Sequence, residues 1–196
     1  MAQRPGFPTA TRAIQEALDD TGLEGEAIIV PGVGCHALIP FLLDIDHVMS
    51  AHGRPPDVAS AIKRVLGRGT VHRAPTLVFT LQGDGDCIAI GAGSLINAAG
   101  RGEKITVIML NNVNYGTTGG QLSPTTPLGH VTSTTPGGRT PEHGFPVRVP
   151  EMLATFQGVA YAARGAVNTP ANYQKTRAYI KKAFQKQMVG QGLTFV

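Results

Sequence analysis

Residues 76–93 read TLVFTLQGDGDCIAIGAG, and the fold turns on how they are read. The first half is an unbroken run of apolar and β-branched residues closed by glycine, which predicts a strand buried on both faces. The second half begins with two carboxylates, Asp84 and Asp86, separated by single glycines, and continues into small apolar residues that predict a helix. In open parallel sheets, ligands sit beyond the carboxyl ends of the strands. Asp84 and Asp86 are in such a place if the rest of the chain alternates strand and helix.

It does. TATRAIQEALDDTG reads as a helix opened by a threonine cap and closed at Gly22, EAIIV as a buried strand, and PGVGCHALIPFLL as a glycine-rich turn entering a short helix. HVMSA follows as a strand, HGRPP as a loop, and DVASAIKRVLGRG as a helix capped by Asp57. DCIAIGAGSLINAAGRG is a helix and KITVIMLNN a strand. Later, EMLATFQG and PANYQKTRAYIKKAFQKQM read as helices, and VAYAAR and GLTFV as strands. The expectation is an α/β fold, a mostly parallel sheet with helices on both faces, formed by residues 1–196 as a single domain. Residues 111–150 break the rhythm with Gly, Pro, Thr and Ser and no hydrophobic period. A segment of that length without structure of its own is functional or disordered, and its start directly after a buried strand favours function.

Composition excludes several classes. A chain of 196 residues with 42% hydrophobic and 15% charged residues can bury a core. No apolar run reaches membrane-spanning length, and Pro and Gly interrupt the start where a signal peptide would be apolar, so no membrane and a cytoplasmic location are expected. Two cysteines, Cys35 and Cys87, form no C-x-x-C pair. The net charge of +4 and the pI near 9.3 come from scattered residues apart from KTRAYIKKAFQKQ. That segment puts Tyr179, Ile180, Ala183, Phe184 and Met188 on one helical face and lysines on the other, which suits a solvated face, an acidic partner or an anionic cofactor. With no Trp and no recognition-helix signature, nucleic acid is not expected.

Asp84 and Asn112 both follow apolar strands joined by one helical crossover, and a right-handed crossover brings their carboxyl ends to the same edge of the sheet. A carboxylate and an amide oxygen beside glycines suit Mg²⁺, and a helix beginning near Asp86 would direct its free N–H groups at a phosphate. The residues therefore point to a magnesium diphosphate. Asp86 either caps its helix or contacts the cofactor. Cys87 reads as a small core residue, His36 and His47 as structural, and Thr125, Thr126, Thr134 and Thr135 as turn residues bonded to their own backbone.

The same residues carry a family resemblance. Gly83, Asp84 and Gly85, followed after 25 residues by Asn111 and Asn112, resemble the thiamine diphosphate signature of decarboxylases, transketolases and 2-oxoacid oxidoreductases. GVGC, HGRPPDVASAIKR, GDGDCIAIGAGSLINAA and ITVIMLNNVNYGTTGGQLSPTTP together resemble the thiamine-diphosphate-binding β subunit of 2-oxoacid:ferredoxin oxidoreductases of the 2-oxoglutarate and 2-oxoisovalerate types. The similarity covers nearly the whole chain. It implies Mg²⁺ ligation by the side chains of Asp84 and Asn112 and the backbone carbonyl of Asn114. It makes Tyr115, Gly116, Thr117 and Thr118 candidates for contact with the diphosphate or thiazolium ring, and Gly34, Cys35, His52, Gly53 and Arg54 candidates from neighbouring strand ends. His52 and Arg54 are the catalytic candidates. Arg54 and Arg139 are candidates for binding a phosphate or substrate carboxylate.

The resemblance also implies oxidative decarboxylation of a 2-oxoacid to an acyl-coenzyme A, with an α subunit supplying the activating Glu and with iron–sulfur clusters and ferredoxin as electron acceptors. The chain departs from the family where an N-terminal Cys-Pro-Gly-Cys helps hold a [4Fe–4S] cluster: RPGF stands there, with Arg4 and Phe7 in place of the cysteines. Iron–sulfur clusters are therefore expected only on partner subunits, with Cys35 a relic. Glu24, Glu26, Glu103, Glu142 and Glu151 stand in no strand-end context suited to the activating role. Relatives also continue past GLTFV into a segment with a further cysteine, so this chain is either naturally short or ends early. Two alternatives stay open: a non-oxidative thiamine-dependent decarboxylase or carboligase subunit, and a degenerate subunit kept for assembly, which the presence of Asp84 and Asn112 argues against.

Overall fold

The computed structural model of the chain describes residues 6–67 and 76–196. Strands β1 (Ala27–Pro31), β2 (Asp46–His47), β3 (Leu77–Gly83), β4 (Thr106–Leu110), β7 (Val159–Ala162) and β8 (Leu193–Phe195) form one six-stranded sheet in the order β2-β1-β3-β4-β8-β7. Every neighbouring pair in it is parallel. Strands β5 (Asn114–Tyr115) and β6 (Gln121–Leu122) make a separate antiparallel pair.

Helices cover both faces, as continuous hydrophobicity of the central strands requires. On one face α1 (Phe7–Asp19) and α5 (Pro170–Met188) pack Ile14, Leu18, Ile180 and Phe184 against Ile29, Phe79 and Leu81. On the other, α2 (Pro55–Leu66) and α3 (Ala92–Gly100) bring Ala59, Leu95 and Ala98 against Val30, Val78 and Val107. Within α5, Ile180, Ala183 and Phe184 are buried, and Tyr179 and Met188 pack partly buried beside them, as their spacing predicts. No described helix is long and apolar enough to cross a membrane.

Several boundaries move for local reasons. Helix α1 starts at Phe7 with Gly6 as its cap and Pro8 in its first turn; it has no threonine cap. Its end follows the expectation: Gly22 takes a φ of 64°, which a side chain would strain. Helix α2 starts at Pro55 after Arg54, so Asp57 lies in the first turn as a dipole partner instead of the cap. The strand expected over HVMSA keeps regular pairing only at its first residue, although the Val48 and Ser50 amides still donate to Ile29 and Pro31 of β1. After β3 the chain forms a π-helical turn, Gly85–Ile90, before α3. The long segment is ordered: it contains the β5–β6 hairpin, a 3-10 turn at Pro141–His143 and the start of α4 (Val149–Leu153).

From β1 the chain passes to β2 on one side and returns to β3 on the other. Strand order therefore reverses between β1 and β3, and the crevice at their carboxyl ends is the topological switch point. Register sets Pro31 beside Leu81 and Gly83 beside Leu110, so the ends of β1, β3 and β4 open at one level.

Phe79 and Phe184 are fully buried with ring centroids 5.3 Å apart, joining the sheet to α5. Phe184→Ala is expected to destabilise the fold by about 3–5 kcal/mol, read from the urea midpoint.

Candidate functional site

Asp84, at the end of β3, is 1% exposed. One of its oxygens, Oδ2, accepts hydroxyl hydrogens from Ser123 at 2.5 Å and Thr125 at 2.6 Å. The other, Oδ1, lies 2.9 Å from the side-chain oxygen of Asn112, which is also 2.9 Å from the backbone carbonyl of Asn114. Three oxygens thus converge with no proton between them. That repulsion is relieved either by turning the amide over, so that its NH₂ donates to both neighbours, or by a cation at the centre. Adjacent ligands of an octahedral Mg²⁺ with bonds of 2.0–2.1 Å are about 2.9 Å apart, so the donor set fits that ion. The inward orientation of the oxygen also leaves Asn112 Nδ2 to donate to Asn114 Oδ1 at 3.2 Å. Burial pushes the Asp84 carboxyl above its ordinary value, against the hydrogen bonds from Ser123 and Thr125.

Presenting a side chain from residue 112 and a carbonyl from residue 114 to one point requires a sharp reversal between them. Val113 supplies it at a φ of 58°, a costly conformation for a β-branched residue. The carbonyl of Val113 accepts from Thr126 Oγ1 at 2.6 Å, and its N–H donates to Asn111 Oδ1 at 3.0 Å. The β5–β6 hairpin then covers the site. Tyr115 lies over Gly85, where a Cβ would fall 2.1 Å from its ring. Cys35 Sγ lies 2.9 Å from Thr117 Oγ1, and at Gly116 a Cβ would approach Cys35 Sγ to 3.1 Å and Asn112 Nδ2 to 3.2 Å. A cleft of about 1330 Å³ opens beside Asn111, Asn112, Asn114 and Thr125, large enough for an extended cofactor.

Asp86 builds the second half of the site. It caps no helix: its carboxylate points back to the switch point, where Oδ1 accepts from the Gly53 amide at 2.6 Å and Oδ2 from Gln82 Nε2 at 3.0 Å. His52 Nδ1 lies 2.8 Å from Asp86 Oδ1 and 3.0 Å from the Val33 carbonyl. Two acceptors require a proton on Nδ1, which leaves Nε2 of the neutral ring as the free nitrogen. Gly32 makes room for the carboxylate, since a Cβ there would lie 1.9 Å from Oδ2. His36 is buried with Nε2 3.8 Å from Asp86 Oδ2 and without a hydrogen-bond partner. Burial pushes its pKa down to about 4, against the attraction of Asp86, so it is neutral at physiological pH.

Residues 32–195 match the family described as thiamine pyrophosphate enzyme, C-terminal TPP binding domain. The chain belongs to this family. Ketoisovalerate oxidoreductase subunit VorA of Methanothermobacter marburgensis is 37% identical over 186 residues, 94% of this chain and 37% of that subunit. The 2-oxoglutarate synthase subunit KorB of Archaeoglobus fulgidus is 35% identical over 87% of this chain and 57% of its own length. The TPP-binding domain therefore spans from about a third to somewhat over half the length of these relatives. A 2-oxoglutarate:ferredoxin oxidoreductase from Magnetococcus marinus, solved with 2-oxoglutarate, coenzyme A and succinyl-CoA bound, shares the fold with a TM-score of 0.76 at 24% identity, over 97% of this chain and 60% of that one.

In this TPP-binding domain Asp84, Asn112 and Asn114 come together, with Gly83, Gly85, Tyr115, Gly116, Thr117 and Cys35 around them, while His52, Gly53 and Asp86 join at the neighbouring strand end. Other residues have partners of their own. Arg54 donates from Nη1 to Asp57 at 3.4 Å and Ser94 at 3.2 Å between α2 and α3, with its side chain 60% exposed. Arg139 is buried and bound to backbone carbonyls, so it is not a substrate clamp. Thr118 is tied to Gln121 within the hairpin at 2.7 Å. Thr125 and Thr126 bond to Asp84 and Val113, not merely to their own turn. Gly34 backs the site by facing the His36 ring. Cys87 is buried in the core, where burial raises its pKa, and Phe7 packs against the core beside α5; Arg4 lies outside the described residues. Sequence reasoning missed Ser123, Gln82, Gly32 and the strained Val113. Only the hydroxyl-rich LSPTT run, ordered by no period, hinted at the first.

His36 gives a pH prediction. The unfolded imidazole takes a proton near 6.5 and the folded one only near 4. Between these values the unfolded state binds more protons, so stability falls as pH falls through that window and is level above it. His36 is expected to contribute about 2 kcal/mol of the stability lost between pH 7 and pH 5. Urea titrations should show His36→Gln with a correspondingly flatter pH profile.

Proposed function

We propose that residues 1–196 act as one thiamine diphosphate and Mg²⁺ binding domain, the catalytic β component of a cytoplasmic 2-oxoacid:ferredoxin oxidoreductase that forms acyl-coenzyme A and carbon dioxide. The convergence of Asp84, Asn112 and the Asn114 carbonyl at octahedral spacing carries this reading. Asp84 Oδ1, Asn112 Oδ1 and the Asn114 carbonyl would hold the ion, and the ion would hold the diphosphate. When bound, thiamine diphosphate supplies the carbanion chemistry by which a 2-oxoacid loses carbon dioxide.

The chain's own residues then bind, orient and shield. Gly85 and Gly116 leave the backbone open to close approach, and Tyr115 with the hairpin excludes water from the Asp84 carboxylate. His52 holds its proton at Nδ1 against Asp86 and Val33, and so leaves Nε2 of the neutral ring as a proton acceptor. Among the described glutamates, Glu103 is tied to Arg64 and Arg101, Glu151 to Arg164, and Glu16 to Arg12 and Arg177. None of these three serves as the activating acid, which favours its supply by an α subunit. Electron transfer to iron–sulfur centres and the binding of coenzyme A are assigned to partner chains as well, consistent with relatives that are named as subunits.

Isothermal titration of thiamine diphosphate into the chain with its native partners should show Mg²⁺-dependent binding. Asp84→Ala is expected to weaken it at least 100-fold. Magnesium-independent binding, or binding unaffected by Asp84→Ala, would refute the assignment. Acyl-coenzyme A with reduced acceptor as products would separate oxidative turnover from release of an aldehyde or acyloin.

A further inference from the structure

Arg139 is 5% exposed, and among the described residues no carboxylate pairs with it. Burying a guanidinium is costly unless its donors are satisfied. Here backbone carbonyls meet all three nitrogens: Nε donates to Gly144 at 2.9 Å, Nη2 to His143 at 3.4 Å, and Nη1 to Ser123 and Pro124 at 3.3 Å and Thr126 at 2.5 Å. Arg139 is itself fixed by its backbone, which accepts from the Gly129 amide at 2.8 Å and donates to the His130 carbonyl at 3.0 Å. Three of the five carbonyls belong to the turn 123–126, and all three converge on one nitrogen.

The same turn holds both halves of the oxygen cluster. Ser123 and Thr125 donate to Asp84 Oδ2, and Thr126 donates to the carbonyl of Val113, the strained residue between Asn112 and Asn114. Its backbone carbonyls face the guanidinium and its hydroxyls face the cluster. The turn follows β6 directly but holds no helix or strand itself; besides the guanidinium, its carbonyls meet the Thr126 and Val147 N–H groups, on Ser123 and Pro124. We propose that Arg139 is a positioning residue for the metal site: its buried guanidinium orients the turn 123–126, which fixes the Asp84 carboxylate and the Val113 reversal so that the three ligand oxygens converge. A planar fork of five donors does this, whereas a lysine ammonium has three donors and no fixed plane. The inference rests on the functional reading above, and it adds a residue distant in sequence from every ligand.

The test compares the intact complex carrying wild-type chain, Arg139→Met, Arg139→Lys, Ser123→Ala and the Arg139→Met/Ser123→Ala double variant. Mn²⁺, as a paramagnetic substitute for Mg²⁺, is titrated by electron paramagnetic resonance in the presence of thiamine diphosphate, with circular dichroism and thermal unfolding recorded in parallel. Arg139→Met and Ser123→Ala are each expected to weaken Mn²⁺ binding about 10- to 100-fold, with the double variant no worse than about threefold beyond the weaker single one. Arg139→Lys should fall between wild type and Arg139→Met. Lowered thermal stability with wild-type Mn²⁺ affinity in folded Arg139 variants would overturn the proposal, and so would additive losses in the double variant. Global unfolding of both Arg139 variants beside an intact Ser123→Ala would also overturn it, by making Arg139 a general stability determinant. A wild-type complex that binds neither Mn²⁺ nor thiamine diphosphate would instead refute the functional reading itself.

Discussion

Asp84 Oδ2 takes hydroxyl hydrogens from Ser123 and Thr125 while Oδ1 lies 2.9 Å from the Asn112 amide, and the architecture of the site follows from keeping that carboxylate buried and in this orientation. A buried charge is costly, and burial raises the pKa of the group against the hydrogen bonds from the Ser123 and Thr125 hydroxyls and the Asp84 and Gly85 backbone. The left-handed Val113 adds a second costly feature beside it, held by Thr126 and Asn111.

Two carboxylates one glycine apart do different work because the chain turns between them. Asp84 faces the long segment and its hydroxyls, while Asp86 faces back across the switch point to Gly53, Gln82 and His52. The π-helical turn Gly85–Ile90 allows both, since its wider winding places residues 84 and 86 on divergent faces at the end of β3. Asp86 fixes the His52 tautomer, and the oxygen cluster and the imidazole share a single sheet edge.

The segment 111–150 shows how a chain without hydrophobic period becomes ordered. Its order comes from polar groups: a hairpin, threonine pairs such as Thr132 and Thr135 at 2.6 Å, and a buried arginine that gathers carbonyls in place of a core. Such interactions are directional, so they fix hydroxyl positions more closely than apolar packing of the same size would.

The sequence by itself determined the architecture. Continuous apolar runs such as LVFTL, alternating with amphipathic segments such as that of α5, leave little besides a parallel sheet covered on both faces, and glycine-flanked carboxylates at a strand end mark the binding edge. Asp84 and Asn112 were legible as partners because one crossover links their strands. Tertiary structure alone decided the rest: that Asp86 turns away from its helix, that Ser123 and Thr125 reach a carboxylate some forty residues distant, and that Arg139 lies beneath them. Hydrophobic period is a local, repeating signal carried by neighbours in sequence. A hydrogen bond between remote polar groups leaves no such period, and it becomes readable only when the backbone that joins them is in place.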